Sequence, residues 1–360
     1  MQQTLDFEKQ LAGRKILVTG HTGFTGGWVC TWLKRIGADV SGYALPPETR
    51  PSLFDSLGLA KSIPTTFADI SDLNRLQEAV RQAEPDLILH LAAQPLVRRS
   101  YSDPVGTFLV NAQGTAHVLE AARHTKSVKG VVCVTTDKVY HNNEWHWPYR
   151  ESDALGGKDP YSASKSAAEM VIQSYAASFP FEKGLGPAIA VARGGNIVGG
   201  GDWSDDRLIP DFVRSVTQNK PLMLRYPKAT RPWQHVLALV HGYFELMARL
   251  LGDQASEFAR PWNLGPTDTE SLTVEAVMNL MSAEWTRPDI SYTEPNLAES
   301  GLLALDSSLA RSKLGWRPVW DTTRVIQETA AWYRAYYKAP ESAEEITVAQ
   351  IDSWRQSLLS

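Results

Sequence analysis

The chain has 360 residues, 43% hydrophobic and 21% charged, with a formal net charge of −4. That mix supports a sizeable core, and the length suits two lobes or one large α/β domain with an added lobe. The slight acidity argues against a general binder of nucleic acid or membrane surfaces. No apolar run is long enough to span a bilayer. Cys30 and Cys133 alone make neither a disulfide framework nor a metal cluster, so no metal is expected. The N-terminal MQQTLDFEKQLAGRK lacks an apolar signal core, which makes a reducing, cytoplasmic setting the expectation.

KILVTG (15–20) reads as a buried strand and leads to a helix over about 24–37. The loop between them is Thr19-Gly20-His21-Thr22-Gly23-Phe24-Thr25-Gly26, with glycines at intervals of three. Such glycines allow a tight turn, close backbone approach to a pyrophosphate and close helix–strand packing. The helix N-terminus then offers free N–H groups to phosphate. Gly20, Thr22, Gly23, Phe24 and Gly26 are therefore candidate dinucleotide contacts. DVSGYAL (39–45) is the second strand and ends without the acid that would hold an adenosine ribose. Arg50 follows in the loop, so this strand leaves NAD and NADP open. TTFADI (65–70) is the third strand, before a helix over about 72–83. Asp69 and Ile70 can meet an adenine edge, and Asp69 can equally cap the helix.

DLILHLAA (86–93) is the fourth strand. Leu91, Ala92 and Ala93 stand at its end, where small side chains let a cofactor lie close. Gln94, Arg98 and Asn111 are candidates for lining the site. A long helix is expected near 104–124, then the strand KGVVCVTT (129–136), a helix near 160–179 and the strand AIAVARGGNIVG (188–199). Continuous apolar strands separated by helices predict a parallel sheet covered on both faces, a doubly wound α/β fold of Rossmann type. Ten of the twelve tryptophans lie beyond residue 144, and the later segments are shorter and punctuated by proline. The division expected is a cofactor-binding domain over 1–199, a smaller substrate lobe over 200–340 with an interleaved boundary, and a terminal helix over 341–360.

The fifth strand ends in Thr136-Asp137-Lys138, an acid and a base side by side. Tyr161 and Lys165 open the following helix, and a spacing of four sets them on one face. A neighbouring ammonium lowers a phenol's pKa, so Tyr161 can act as a base on a substrate hydroxyl.

TGHTGFTG, LAAQ (91–94), VTTDKVY (134–140), YSASK (161–165) and GNIVGGGDW (195–203) together resemble the extended short-chain dehydrogenase/reductases. Within them the chain is similar to the nucleotide-sugar 4,6-dehydratases. Lys138, where the dTDP-glucose enzymes carry glutamate, resembles the branch acting on CDP-glucose, as do PSLFDSLGL (51–59) and RPWQHVL (231–237). The resemblance implies internal redox with loss of water. Tyr161 takes the O4 proton as C4 gives hydride to NAD, a base removes the C5 proton, an acid protonates the departing O6, and hydride returns to C6. It implies Asp137 as that acid, Lys138 as the C5 base or its helper, and Thr136 as the residue that aims O4 at Tyr161. Burial moves both pKa values the required way, whereas the attraction within the pair opposes it.

Asn196, Gly200, Gly201 and Trp203 form the turn that in relatives contacts the nucleotide diphosphate. Arg207 and Arg231 suit phosphate, Trp233 offers a face to a pyrimidine, and His235 reads as a core histidine. The resemblance also implies a homodimer built from the helices near 104–124 and 160–179. The other readings are a nucleotide-sugar 4-epimerase, which needs no acid–base pair at 137–138, and a sensor that keeps the fold without catalysis.

Overall fold

The computed structural model describes residues 4–224, 226–266, 272–292 and 303–360. Helix α1 (Asp6–Leu11) precedes β1 (Lys15–Thr19), α2 (Phe24–Arg35), β2 (Asp39–Ala44), α3 (Leu53–Ser56) and β3 (Thr65–Phe67). Next come α4 (Leu73–Ala83), β4 (Leu87–His90), α5 (Val97–Ser102), α6 (Pro104–Phe108), a π-helical turn (Leu109–Gln113) and α7 (Gly114–Arg123). They are followed by β5 (Gly130–Val134), α8 (Pro160–Ser178), β6 (Ala188–Gly194), β7 (Ile197–Val198) and α9 (Leu208–Gln218). Then come β8 (Leu222–Leu224), β9 (Thr230–Arg231), β10 (Gln234–His235), α10 (Val236–Leu250) and α11 (Ala255–Phe258). The chain continues through β11 (Pro261–Leu264), β12 (Leu272–Thr273), α12 (Val274–Glu284), β13 (Ile290–Tyr292), α13 (Thr322–Lys338) and α14 (Ala343–Leu359).

Seven strands form one sheet in the order β11-β6-β5-β4-β1-β2-β3, with every neighbouring pair parallel. The apolar runs of the sequence are its strands, buried on both faces as a doubly wound sheet requires. On β1, Ile16 and Val18 pack into one core and Leu17 into the other, the alternation that a strand dictates. The chain reverses direction of travel between β1 and β4. Such a switch point opens a crevice at the C-terminal ends of the strands, where these folds bind ligands.

One expectation is corrected. The single helix near 104–124 is three pieces, α6, a π-helical turn and α7. The extra residue of the π turn lets Asn111 point inward, where its side chain bonds the Gln94 backbone and Ser164. The second half of the chain also returns to the sheet. The edge strand β11 pairs with β6. Thirteen of the fifteen residues of α10 are buried, and that helix covers β4, β5 and β6. A helix apolar on all sides can only be a core element. The terminal helix is firmly docked. Arg355 Nε and Nη2 donate to Glu8 at 2.7 and 2.9 Å, and Trp32 Nε1 reaches the same carboxylate at 2.9 Å.

Candidate active site

The glycine loop lies at the switch point. Gly20 has φ +72°, and a Cβ there would stand 2.6 Å from the Ala92 nitrogen. Glycine thus lets the exit of β1 touch the exit of β4. Gly26 likewise has no room for a Cβ, which would meet His21 Cα at 2.5 Å. Gly23 is the N-cap of α2, and no side chain closes that helix end. A Cβ there would meet nothing nearer than the Gly20 carbonyl at 3.4 Å. Open N–H groups at the start of a twelve-residue helix fit a pyrophosphate. Thr22 spends its hydroxyl on the Leu45 carbonyl at 2.9 Å. Phe24 is half-buried near Gly199. The loop's His21 is fully buried, shares a hydrogen bond with Thr65 at 3.0 Å, and is pulled down to about 4 by burial, so it stays neutral.

Leu91, Ala92 and Ala93 are partly exposed beside this loop. The cap of α4 is Asp72, which accepts from Arg75 N at 3.0 Å, so the capping role weighed for Asp69 falls three residues later. Asp69 instead accepts from Ser71 N at 2.8 Å in a local turn. Ile70 is buried against Gly114.

Past the end of β5 the chain makes a single 3-10 turn at Asp137–Val139. Thr136 caps it and donates to Asp137 Oδ1 at 2.9 Å. Lys138 Nζ donates to the same oxygen at 3.1 Å. The Asp137 side chain is 5% exposed and that of Lys138 30%. A Cβ at Gly195 would lie 3.3 Å from Asp137 Oδ2, so glycine is what lets β6 pass so near.

Helix α8 brings the tyrosine to this turn. Asp159 caps it by accepting from Ser162 N at 3.0 Å, and Pro160 occupies its first turn. Tyr161 N–H donates to Ser100 Oγ at 3.1 Å, and its hydroxyl faces Thr136 and Lys138. Tyr161, Thr136 and Asp137 are thus neighbours at one turn, with the Thr136 hydroxyl given to the carboxylate. Burial pushes the phenol above its usual range, while the Lys138 ammonium and then the Thr136 hydroxyl pull the other way. Lys165 Nζ turns to the Val134 carbonyl at 3.3 Å, where β5 stops, and burial draws its pKa down to about 8.

Gln94 and Asn111 are scaffold in this structure. Gln94 Nε2 donates to Leu96 O and Thr107 Oγ1, and Gln94 Oε1 accepts from Leu96 N. Asn111 is held by the Gln94 backbone and by Ser164, whose hydroxyl donates to the Tyr161 carbonyl at 2.7 Å. Every polar side-chain atom of the two thus has a protein partner.

The glycine-rich turn after β6 is mainly a packing device. A Cβ on Gly200 would sit 2.0 Å from the Trp332 ring, and one on Gly201 2.5 Å from Leu53. Trp203 is 6% exposed, packed against Trp332, Tyr333 and Tyr336, with its N–H given to Tyr337 at 3.1 Å. A substrate contact by Gly201 or Trp203 is therefore corrected to a core role. Trp233 and His235 are buried in the same core. Asn196 is half-buried and accepts from Gln234 N through its backbone. Arg207 bonds Asp202 at 2.9 Å and lies close enough to Tyr161 for their charges to interact. Arg98 bridges to Asp206 at 3.1 Å. The side chain of Arg231 lies outside the described residues. Three residues that sequence reading passed over stand directly behind the turn: Thr135, Glu169 and Arg193. The signal for Glu169 was its place one helical turn after Lys165.

A dinucleotide-type loop at a switch point, with a tyrosine on a helix facing an acid–base turn, defines a redox α/β enzyme of the extended short-chain dehydrogenase/reductase class. The sequence profile of the GDP-mannose 4,6 dehydratase family matches residues 17–329, and the chain belongs to that family. A CDP-glucose 4,6-dehydratase of Salmonella typhimurium is 40% identical over 336 residues, covering 91% of this chain and 93% of the relative. A dTDP-glucose 4,6-dehydratase of Streptomyces griseus is 28% identical, covering 89% of this chain and 94% of its own. Among solved structures, a dTDP-glucose 4,6-dehydratase of Streptomyces venezuelae with NAD bound superposes with a TM-score of 0.75 at 24% identity, over 91% of this chain and 99% of that one. A UDP-glucose 4-epimerase of Stenotrophomonas maltophila with NAD bound gives 0.78 at 23%, over 91% and 99%.

Proposed function

We propose that the protein catalyses the 4,6-dehydration of CDP-glucose to CDP-4-keto-6-deoxyglucose, with NAD as its cofactor. The observation that carries the reaction class is the contact between Asp137 and Lys138 at 3.1 Å, with Thr136 bonded to the same carboxylate and Tyr161 beside them. A 4-epimerase has no step that needs an acid and a base together. The cytidine preference is supported by the 40%-identical relative.

The Gly20–Gly26 loop and the edge at Leu91–Ala93 would hold the dinucleotide. When bound, NAD accepts a hydride from sugar C4 and returns one to C6. Thr136 orients the O4 hydroxyl and Tyr161 takes its proton. The charged form of Lys138 assists here, because it offsets the burial that disfavours the phenolate. The second half-reaction needs a neutral acid and a neutral amine. Transfer of one proton from Lys138 Nζ to the Asp137 carboxylate, across their 3.1 Å contact, supplies both at once. Desolvation by bound sugar favours that neutral pair over the ion pair. Lys138 then takes the C5 proton and Asp137 gives its proton to the departing O6 as water leaves; as hydride is returned to C6, Lys138 gives its proton back to C5, and the O4 proton held by Tyr161 passes to Lys138 to restore the ion pair. This is why the acid and the base touch. Arg207 binds on the sugar side, and Gln94 and Asn111 position rather than contact.

We further propose a homodimer. Tyr101, Val105, Phe108 and Leu109 are 50%, 79%, 39% and 40% exposed, at helical spacing, and Met170 of the adjacent α8 is 58% exposed. An apolar stripe of this kind on two packed helices suits a second copy of the chain. Among the described residues no helix is long and apolar enough to cross a membrane. Both cysteines are free and buried, which suits a cytoplasmic setting.

The test is incubation with the CDP, dTDP, UDP and GDP derivatives of glucose, with loss of water read by mass spectrometry. Dehydration of CDP-glucose alone is expected. Bound NAD with C4 epimerisation and no loss of water would replace this reading with that of an epimerase.

A further inference from the structure

Three residues of α8 one turn apart, Tyr161, Lys165 and Glu169, face three consecutive residues at the end of β5. Tyr161 faces Thr136. Lys165 Nζ donates to the Val134 carbonyl at 3.3 Å. Between them, the Thr135 hydroxyl donates to Glu169 Oε1 at 2.7 Å. Tyr161 belongs to the proposed chemistry and Lys165 is the cation that the spacing of four sets on its helix face, whereas Glu169 has no place in it. Yet Glu169 is an acid only 1% exposed, and so is its partner Arg193. Nothing about folding alone demands such a pair, since well-packed apolar residues often do as well.

Arg193 reaches Glu169 from β6. Its Nε donates to both carboxylate oxygens, at 2.8 and 3.1 Å, and its Nη2 also bonds the carboxylate. Arg193 Nη1 donates to the Tyr140 hydroxyl at 2.7 Å, and Tyr140 passes the chain to Asn263 of β11 at 2.6 Å. Thr135 N–H donates to the Ala192 carbonyl beside Arg193 at 2.9 Å. Thr135 is thus fixed through backbone and side chain, and its neighbour Thr136 carries the hydroxyl that aims at Tyr161.

We propose that Glu169, held in place by Arg193, is a positioning residue for the reaction. It fixes the Thr135–Thr136 exit from β5 and sets a carboxylate one helical turn from Lys165. This rests on the reading of Tyr161 and Lys165 given above. The groups facing Lys165 agree with it. On α8 it has Tyr161 and Glu169, from β5 the Cys133 thiol, and from β4 His90, which burial first and Lys165 second keep neutral. From β6 comes Arg193, already bound to Glu169. The turn after β5 brings Asp137 and Lys138, bound to each other. Arg98 and Arg99 of α5 are bound to Asp206 and Glu48, and Glu120 of α7 to Arg123, His124 and Tyr175. Glu169 and Cys133 are the groups that raise Lys165 against the burial that lowers it, and of these only Glu169 brings a full charge near neutral pH, because burial pushes the Cys133 thiol up to about 12.

The experiment separates charge from contact. Glu169→Gln can keep the Thr135 hydrogen bond and loses the charge, whereas Thr135→Val loses the bond and keeps the charge. Lys165 is followed directly by trace acetylation with acetic anhydride from neutral to alkaline pH, the labelled peptide being quantified by mass spectrometry. The rate of C4 oxidation with NAD and CDP-glucose is recorded over the same pH range. Glu169→Gln is expected to lower the labelling midpoint of Lys165 by about one unit, and the alkaline limb of the rate should move with it. Thr135→Val should leave the midpoint in place and slow C4 oxidation about tenfold or more through misplacement. Should Glu169→Gln fail to fold, Thr135→Val, whose rate tests the positioning by itself, keeps the proposal falsifiable. An unmoved Lys165 midpoint in Glu169→Gln overturns the proposal, as does an unchanged rate in Thr135→Val. A shifted midpoint that the rate does not follow overturns the role of Lys165 in the reaction, and with it the reading on which this proposal stands.

Discussion

Replacing Lys138 by alanine tests the paired acid and base most directly. The side chain is 30% exposed and donates a hydrogen bond of 3.1 Å to Asp137, which keeps a second bond from Thr136. A partly solvated contact of this kind contributes about 1 kcal/mol to stability, so the variant should fold. Loss of a positioned base costs about 10²–10⁴ in rate, or about 3–5 kcal/mol of barrier. The catalytic loss therefore exceeds the structural one and is not explained by unfolding. Lys138 also opposes the burial that raises Tyr161, so C4 oxidation should slow as well, by about tenfold for each unit the phenol rises. The two losses separate in a single turnover in deuterated water. Reduced nicotinamide absorbance reports C4 oxidation, and mass spectrometry reports deuterium at C5. We expect slow accumulation of oxidised sugar with C5 exchange at least about a hundredfold below wild type. Deuterium entering C5 of the oxidised sugar at the wild-type rate would refute both the role of Lys138 and the proton transfer to Asp137.

Tyr161→Phe should lose C4 oxidation by about 10²–10⁴ while shifting stability by only about 1 kcal/mol, readable as a small change in melting temperature. Gly200→Ala must push the Trp332 ring away from a 2.0 Å contact. It should cost about 1–3 kcal/mol in urea unfolding and leave turnover per folded molecule intact; lost turnover with normal stability would return that turn to the substrate site. Arg355→Ala removes the partner of buried Glu8. Burial would raise Glu8, but hydrogen bonds from Arg355 and Trp32 prevail and hold it below the ordinary glutamate range. Its stabilisation is therefore present above that range and lost as pH falls through the folded value. The variant should be less stable by about 3–5 kcal/mol at neutral pH, with a smaller deficit in acid unfolding curves. Val105→Glu should shift the elution of the protein to that of a monomer while leaving its circular dichroism spectrum unchanged.

Much of the site was legible because its parts are short local patterns. Glycines three apart between an apolar strand and a helix give a tight turn of the kind that a pyrophosphate can approach. A spacing of four fixes Tyr161 and Lys165 to one helix face, and Asp159-Pro160 fixes where that helix begins. The strands read correctly because each is buried on both faces, so its apolar run is continuous. The glycines and tryptophan of GGGDW misled for the opposite reason. Glycine serves equally to admit a ligand or an indole, and only the approach of α13 from more than 100 residues away reveals that Gly200 admits Trp332.

Sequence alone determined the sheet's parallel class, the phosphate loop and the touching acid and base, since each follows from residues within a few positions of one another. Tertiary structure alone decided that β11 and α10 complete the sheet. It alone set Glu169 and Arg193 behind the Thr136–Lys138 turn. These relations join residues distant in the chain, and where a buried lysine or glutamate turns depends on where neighbouring elements leave a carbonyl, a hydroxyl or a charge to be satisfied.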